Sequence, residues 1–373
     1  MIRRLWLMVL MMLVAVPAAA QPVPTRIVAV GDLHGDFAAW IDIARDAKLI
    51  DPANHWTGGK TILVQTGDIT DRGADSLKII RHLQQLDGEA RRAGGRVIVL
   101  MGNHEAMQVI GDLRYVTPGE YAAFADRQSK TRREATYTAN AKRIVDYYHV
   151  KDASLSPKAI RQMWFADTPL GKVEHEAAWS PSGELGRWVA SLPAVVKVGG
   201  TLFVHGGISA NYALVPLDEI NRRARAAIIA GDSSDEAIIN DQMGPLWYRG
   251  LILRGGDDGV PAAGRPTIDN ELAAALNGQG VKRLVVGHTP RLDGVGILRN
   301  GTLIQIDTGI SRYYSGKLGW LEILGDKLVP HVANRSVKGD WQSALRWPSW
   351  PCVLHRSTPL PPSPPNHCSR RTR

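Results

Sequence analysis

The stretch Thr61-Ile62-Leu63-Val64 runs toward Gly67-Asp68-Ile69-Thr70-Asp71-Arg72-Gly73, and helix-forming residues follow from Asp75. A β-branched run that empties into a Gly-Asp turn and then a helix reads as a strand ending at the carboxyl edge of an open α/β sheet. Such sheets place their sites at that edge. Two carboxylates and a guanidinium fall within Asp68–Arg72. One carboxylate suits a metal ion, the other can orient a neighbour, and the planar fork of arginine matches phosphate oxygens. A lone Gly-Asp turn also arises for local reasons, since both residues fill turns. Here the arrangement recurs on either side.

Upstream, Thr25-Arg26-Ile27-Val28-Ala29-Val30 leads into Gly31-Asp32-Leu33-His34-Gly35-Asp36, with a helix predicted to about Ala47. The central strand spans 61–66, and its helix runs from Asp75 to about Ala93. Downstream, Arg96 to Met101 leads into Gly102-Asn103-His104-Glu105. Strand and helix alternating in this way predict βαβ units and a parallel sheet. Successive turns then present metal-type ligands: Asp32 and His34, then Asp68, then Asn103. In an extended segment Asp32 and His34 share a face and can grip one ion. The second half supplies histidines. Thr201-Leu202-Phe203-Val204 precedes His205-Gly206-Gly207, and Lys282 to Val286 precedes Gly287-His288-Thr289-Pro290. Flanking glycines allow close approach of backbone to a ligand. The remaining histidines, His104 aside, lack this setting and are expected on the surface or in the core. Hairpins are expected late in the chain, with Asn300-Gly301 as a two-residue turn and Gly325-Asp326 as another.

Composition narrows the function. The formal charge is +9, but it sits at the ends. Met1 to Ala20 reads as a signal peptide, with Arg3 and Arg4, an apolar stretch from Leu5 to Val16, and Ala18-Ala19-Ala20 before the cleavage point. The apolar run is well short of the ~20 residues a spanning helix needs. The expectation is therefore export, periplasmic or secreted, with no membrane insertion after cleavage. Residues 346–373 add arginines, no acid and many prolines, so residues 336–373 are expected to be an unpacked Pro/Arg-rich tail. The body between is nearly neutral and lacks the basic footprint of a nucleic-acid binder. Both cysteines, Cys352 and Cys368, lie in the tail, which excludes a thiolate site or cysteine nucleophile in the body.

Together, Gly31-Asp-x-His-Gly, Gly67-Asp-x-x-Asp-Arg-Gly, Gly102-Asn-His-Glu, His205-Gly-Gly and Gly287-His resemble the PPP-type calcineurin-like metallophosphatases. The Gly-Asp-Leu-His-Gly-Asp opening and the Val-Gly-His-Thr-Pro block resemble the Shewanella-like bacterial branch most. The resemblance frames residues 26–325 and implies a four-layer sandwich of two mixed β-sheets flanked by helices, with a helical cap insertion. It implies two divalent ions: Asp32 and His34 on the first, Asp68 bridging, Asn103, His205 and His288 on the second. Arg72 and Arg249, with Asn103, would bind the substrate phosphate. His104, paired with Asp71, would protonate the leaving group, and Tyr313 or Tyr314 would stand in for the family's site tyrosine.

The chemistry is coherent in its own terms. Phosphoester hydrolysis needs a nucleophile at neutral pH, charge neutralisation and a proton for the departing oxygen, and paired divalent ions supply the first two. The mixed N/O ligand set suits manganese, with iron or zinc also compatible. The sequence therefore predicts a metallophosphatase domain over 25–335, hydrolysing phosphomonoesters of proteins or small molecules, as a serine/threonine- or tyrosine-type phosphatase. The alternatives are a phosphodiesterase or dinucleotide pyrophosphatase on the same site, and a non-catalytic metal-bound interaction module. Residues 105–200 form an insertion too long for a plain loop. It is rich in aromatics, among them Tyr147, Tyr148, Trp164, Phe165, Trp179 and Trp188. A small helical subdomain with its own aromatic core is expected, overhanging the site and selecting the phosphoester.

Overall fold

The computed structural model describes residues 25–254, 261 and 264–336. The expected leader, both cysteines and all of the expected tail except Ser336 lie outside the described residues. Two five-stranded sheets form the centre. The first has the order β10-β9-β1-β2-β3 and the second β4-β5-β6-β8-β7. In the first, β1 (Arg26–Val30), β2 (Ile62–Gln65) and β3 (Arg96–Val99) run parallel, while β9 (Leu318–Leu324) and β10 (Lys327–Ala333) are antiparallel. In the second, β5 (Thr201–Val204), β6 (Arg283–Val286) and β8 (Leu303–Gln305) run parallel. There β4 (Val195–Val198) and β7 (Gly296–Leu298) form the antiparallel edges.

Strand periodicity decides the layers. Ile27 and Ala29 of β1, Val64, Ile98, Phe203, Val285, Ile304, Leu321 and Ile323 form one buried cluster between the two sheets. The alternate residues, Val28, Val30, Leu63, Leu202, Val204, Leu284 and Val286, join a separate core under the helices. Strands buried on both faces read as continuous apolar runs, which is how they stand in the sequence. The helices α1 (Phe37–Asp46) and α2 (Ser76–Arg92) cover the first sheet, and α9 (Leu217–Ala230) packs on β4 of the second. The result is the four-layer sandwich of two mixed sheets flanked by helices. Both parallel trios point their carboxyl ends to one edge.

The hairpin at Gly325-Asp326 is as expected. The turn between β7 and β8 is wider than the expected two residues. It takes Arg299–Gly301 and Thr302, with Arg299, Asn300 and Gly301 all in left-handed backbone.

The insertion is helical: α3 (Asn103–Ile110), α4 (Pro118–Ala122), α5 (Ser129–Lys151), α6 (Pro157–Asp167), α7 (Lys172–Trp179) and α8 (Glu184–Ser191). Its aromatics divide between two cores. Tyr148 with Ile144 and Ile160 makes a satellite cluster, against which Tyr137, Tyr147 and Trp164 pack. Trp179 is buried in the main core and Trp188 packs against it. The second half of the insertion is thus part of the body, because α8 packs on both α3 and α9.

Candidate active site

The site is assembled from turns at the carboxyl ends of both parallel trios. The turn after β2 is unusual in its backbone. Asp68, Asp71 and Arg72 have φ of 54°, 70° and 65°, a region L residues rarely adopt, and His34 (41°) and His288 (63°) do the same. Such conformations cost on the order of 1–3 kcal/mol each and persist only where the surroundings enforce them. Glu105, fully buried, does much of the enforcing. Its carboxylate accepts the N–H groups of Asp68 (2.9 Å), Ile69 (2.8 Å), Thr70 (3.2 Å) and Gly102 (2.9 Å). Asp68 O in turn accepts the N–H groups of Leu33 and His34, at 2.9 and 3.0 Å, which joins the first two motifs. Gly102 has no alternative, since a Cβ there would lie 2.3 Å from Asp68 N and Oδ1.

The candidate ligands converge on Asp68. Its Oδ2 lies 3.7 Å from His34 Nε2 and 3.8 Å from His104 Nε2, and its Oδ1 lies 3.3 Å from His205 Nε2. His205 Nε2 is also 2.9 Å from Asn103 Oδ1 and 3.2 Å from His288 Nδ1. The backbone decides which ring nitrogens face inward. His34 Nδ1 lies 2.9 Å from Thr70 O, His205 Nδ1 2.8 Å from Thr66 O, and His288 Nε2 3.2 Å from Trp247 O. A carbonyl only accepts, so these nitrogens carry the protons and the opposite nitrogens keep their lone pairs. His205 Nε2, His288 Nδ1, Asn103 Oδ1 and Asp68 Oδ1 are therefore acceptors with no proton to share. Crowding them is unfavourable unless a cation stands among them, so the donor set fits a divalent metal. Two tight groups result, His34–Asp68–His104 and Asp68–His205–His288, all buried.

Protonation agrees with this arrangement. Burial, with His104 and Arg72 nearby, lowers His34 to about 3, and burial with Arg249 and His205 beside it holds His288 well below its usual value. Both stay neutral, as ligands must. Burial would raise Asp68, but His205, His104 and His34 around it keep it well below the ordinary range. Asp32 is raised well above that range by burial and by the neighbouring Asp307 and Asp68.

Asp32 lies at the edge of the two groups. The alternation rule for an extended segment does not apply, because the chain turns left-handed at His34. The Asp32 carboxylate faces the backbone N–H of His288, at 3.1 and 3.2 Å, outside both tight groups. Gly287 makes this possible, since a Cβ there would lie 2.5 Å from Asp32 Oδ1.

On the other side of Asp68, His104 Nδ1 is 2.5 Å from Asp71 Oδ2, and Gln108 Nε2 donates to Asp71 Oδ1 at 2.7 Å. Burial opposes charge on His104, but Asp68 and Asp71 outweigh it and raise its pKa. The Arg72 guanidinium spans the two rings, with Nη1 3.2 Å from His34 Nε2 and Nη2 3.2 Å from His104 Nε2. Three tyrosines surround it, Tyr115, Tyr313 and Tyr314, with ring centroids at 5.1, 5.4 and 5.0 Å. Arg249 sits on the far side, donating from Nη1 to His288 O at 2.5 Å.

Several residues of the site were not singled out from sequence. Glu105 was quoted in its motif without a role, although its spacing from Gly102 is that of a capping box. Asp307, buried and raised to about 6 by burial, follows a short apolar run two residues before a glycine, as a motif residue would. Tyr115 and Gln108 lie in the insertion and carry no local pattern, and Glu120 stands three residues after Thr117, a spacing that reads only as a helix start.

The chain is also similar in sequence and fold to known proteins. A family model described as calcineurin-like phosphoesterase matches residues 25–292. The chain is 33% identical over 295 residues to Shewanella-like protein phosphatase 2 of Arabidopsis thaliana, covering 78% of this chain and 72% of that protein. It is 29% identical over 295 residues to Shewanella-like protein phosphatase 1 of Plasmodium berghei, covering 77% and 68%. The crystal structure of a cold-active protein-tyrosine phosphatase from a psychrophilic Shewanella species is similar, with a TM-score of 0.59 and 26% identity. That match covers 83% of this chain and 81% of the other.

Proposed function

The chain belongs to the calcineurin-like phosphoesterase family, in its PPP-type Shewanella-like branch, and we propose from that premise that it is a metal-dependent protein phosphatase with a preference for phosphotyrosine. One observation carries the preference: Arg72 lies between the His34 and His104 rings and is enclosed by Tyr115, Tyr313 and Tyr314. A guanidinium held in this way offers its edge to phosphate oxygens while the surrounding rings offer faces to an aryl ester. The name of the Shewanella structure, a protein-tyrosine phosphatase, supports the same reading.

In this reading Asp32, His34, Asp68, Asn103, His205 and His288 hold two divalent ions, with manganese the first candidate. The ions supply Lewis acidity and a nucleophile at neutral pH. The residues of the chain do the rest. Arg72 binds and orients the phosphoryl group. His104, held through Nδ1 by Asp71 and kept protonated by Asp68 and Asp71, gives the proton on Nε2 to the departing phenolate oxygen as Arg72 turns from that nitrogen to the phosphoryl group. Arg249, tied to His288 O, adds positive charge near Asp32, Asp68 and Asp307.

The test is phosphate release by the full chain, loaded with Mn²⁺ and then chelated, from phosphotyrosine and phosphoserine/threonine peptides side by side. Chelator-sensitive release that is faster from phosphotyrosine is the expected result. Faster release from phosphoserine/threonine would overturn the preference, and no release from either would move the reading to diesters or pyrophosphates.

A further inference from the structure

The insertion does more than lie near the site. Three of its hydrogen bonds grip the left-handed turn that carries Asp71 and Arg72. Arg72 N–H donates to Tyr115 O at 3.0 Å, Thr117 Oγ1 donates to Gly73 O at 2.9 Å, and Asp71 N–H donates to Glu120 Oε1 at 3.4 Å. Gly119 packs so close that a Cβ on it would sit 2.6 Å from Ala74 Cβ. Glu120 is the unusual member. It is a carboxyl at 1% exposure with no cation bonded to it; Oε1 accepts from Asp71 N–H, and the buried Ser76 hydroxyl is its other polar neighbour. An acid this deeply buried is costly unless it does something for its surroundings.

We propose that Glu120 is a positioning residue, a neutral carboxylic acid through which the insertion holds Asp71 and, through Asp71, the imidazole of His104. The proposal rests on the phosphatase reading for the role of His104. The alternative charge state is disfavoured, because an ionised Glu120 would set a second negative charge beside Asp71, whose own charge already takes up His104, and no cation bonds to Glu120 itself. Burial and the nearby Asp71 push the Glu120 carboxyl up to about 8, so it is protonated at neutral pH. Burial raises the Asp71 carboxyl too, but its bond to His104 and the nearby Arg72 favour its charged form, so Asp71 is the charged member of the pair, with one oxygen on His104 and the other on Gln108. A neutral group at position 120 thus supports the Asp71 backbone without competing for the imidazole.

The experiment compares the metal-loaded full chain with Glu120→Ala, Glu120→Asp and Glu120→Gln. It measures kcat and KM on an aryl phosphate and thermal unfolding in the Mn²⁺-loaded protein, and, in the protein loaded with diamagnetic Zn²⁺, the low-field proton NMR signal of the His104 Nδ1–H bound to Asp71. Losing a buried acceptor is expected to lower kcat about tenfold in Glu120→Ala, with KM little changed, and to shift or broaden the low-field signal. Glu120→Gln, neutral and of equal reach, is expected to restore both. Glu120→Asp keeps the acid but shortens its reach, and it is expected to behave as Ala does; it carries the test if the Ala variant does not fold. The proposal is overturned if Ala and Asp keep the wild-type kcat and signal, or if Gln matches Ala in a protein that unfolds at the wild-type temperature. A low-field signal that follows this pattern in a protein with no hydrolytic activity would retain the positioning role and remove the phosphatase reading.

Discussion

The two sides of Asp68 are built differently. His205 and His288 follow β5 and β6, four-residue strands buried along their length. Each ring is aimed by a single bond to a backbone carbonyl, of Thr66 and of Trp247, although His288 also stands in left-handed backbone and has its N–H held by Asp32. The Asp71–Arg72–His104 side has no strand under its first two residues. Both stand in left-handed backbone and depend on Glu105, Gln108, Tyr115, Thr117 and Glu120 for their place. A sheet holds a ligand cheaply, because its register is already specified by the core. A strained turn must be held by side chains from elsewhere, so in this protein the acid and the phosphate-binding arginine are tied to the insertion while the second-sheet ligands are tied to the core.

The largest expected effect breaks the comparison at its centre. Asp68→Asn touches both tight groups, and kcat/KM is expected to fall ~10³-fold or more, since metal-derived stabilisation is worth several kcal/mol. Elemental analysis should show loss of both ions; loss of one alone would mean the sides are independent. Next, His104→Asn should lower kcat by roughly 10²-fold or more, as expected for loss of a general acid, with metal content unchanged. His104 also lies within one of the metal-capable groups, so loss of an ion in that variant would move it to the ligand side.

Arg72→Lys sharpens the contrast further. It keeps the charge but loses the planar fork and the stacking among the tyrosines, and KM for an aryl phosphate should rise about tenfold. The smallest effect concerns the support of the insertion. His175 is buried among Tyr121, Phe124 and Trp179, with neither ring nitrogen bonded to another described residue, and burial lowers it to about 3. Its folded pKa lies below its unfolded value of 6.5. Protons therefore favour the unfolded chain, and stability is complete above pH 6.5 and falls as pH drops toward 3. The loss is about 2 kcal/mol at pH 5. His175→Phe should flatten this slope, read as the difference between urea midpoints at pH 7 and pH 5. An unchanged slope would place the acid sensitivity elsewhere.

How much could be read in advance followed from how local each feature is. Strand ends and helix bounds were legible because β-branched runs, glycine turns and helix-forming stretches act over a few residues. The observed α1 and α2 end within a residue or two of where composition stops them. The left-handed turn at His34 was not legible, since it depends on bonds from Leu33 and His34 to Asp68 O. Nor was the division of the insertion's aromatics, with Trp179 going to the main core and Trp164 to the satellite cluster. Nothing in their immediate neighbours distinguishes the two.

By itself, then, the sequence determined the order of strands and helices and which residues gather at the strand ends, since each depends on short-range pattern and burial; the two-sheet sandwich was legible only through the family resemblance that those motifs carry. Only the tertiary structure decided which nitrogen each histidine offers, where Asp32 points, that three tyrosines enclose Arg72, and that Glu120 reaches Asp71. Those features are set by partners far apart in the chain, such as Thr66 with His205 across 139 positions and Asp32 with His288 across 256. At such separations it is the packing of the sheets and the insertion, not neighbouring sequence, that brings the groups within hydrogen-bonding distance.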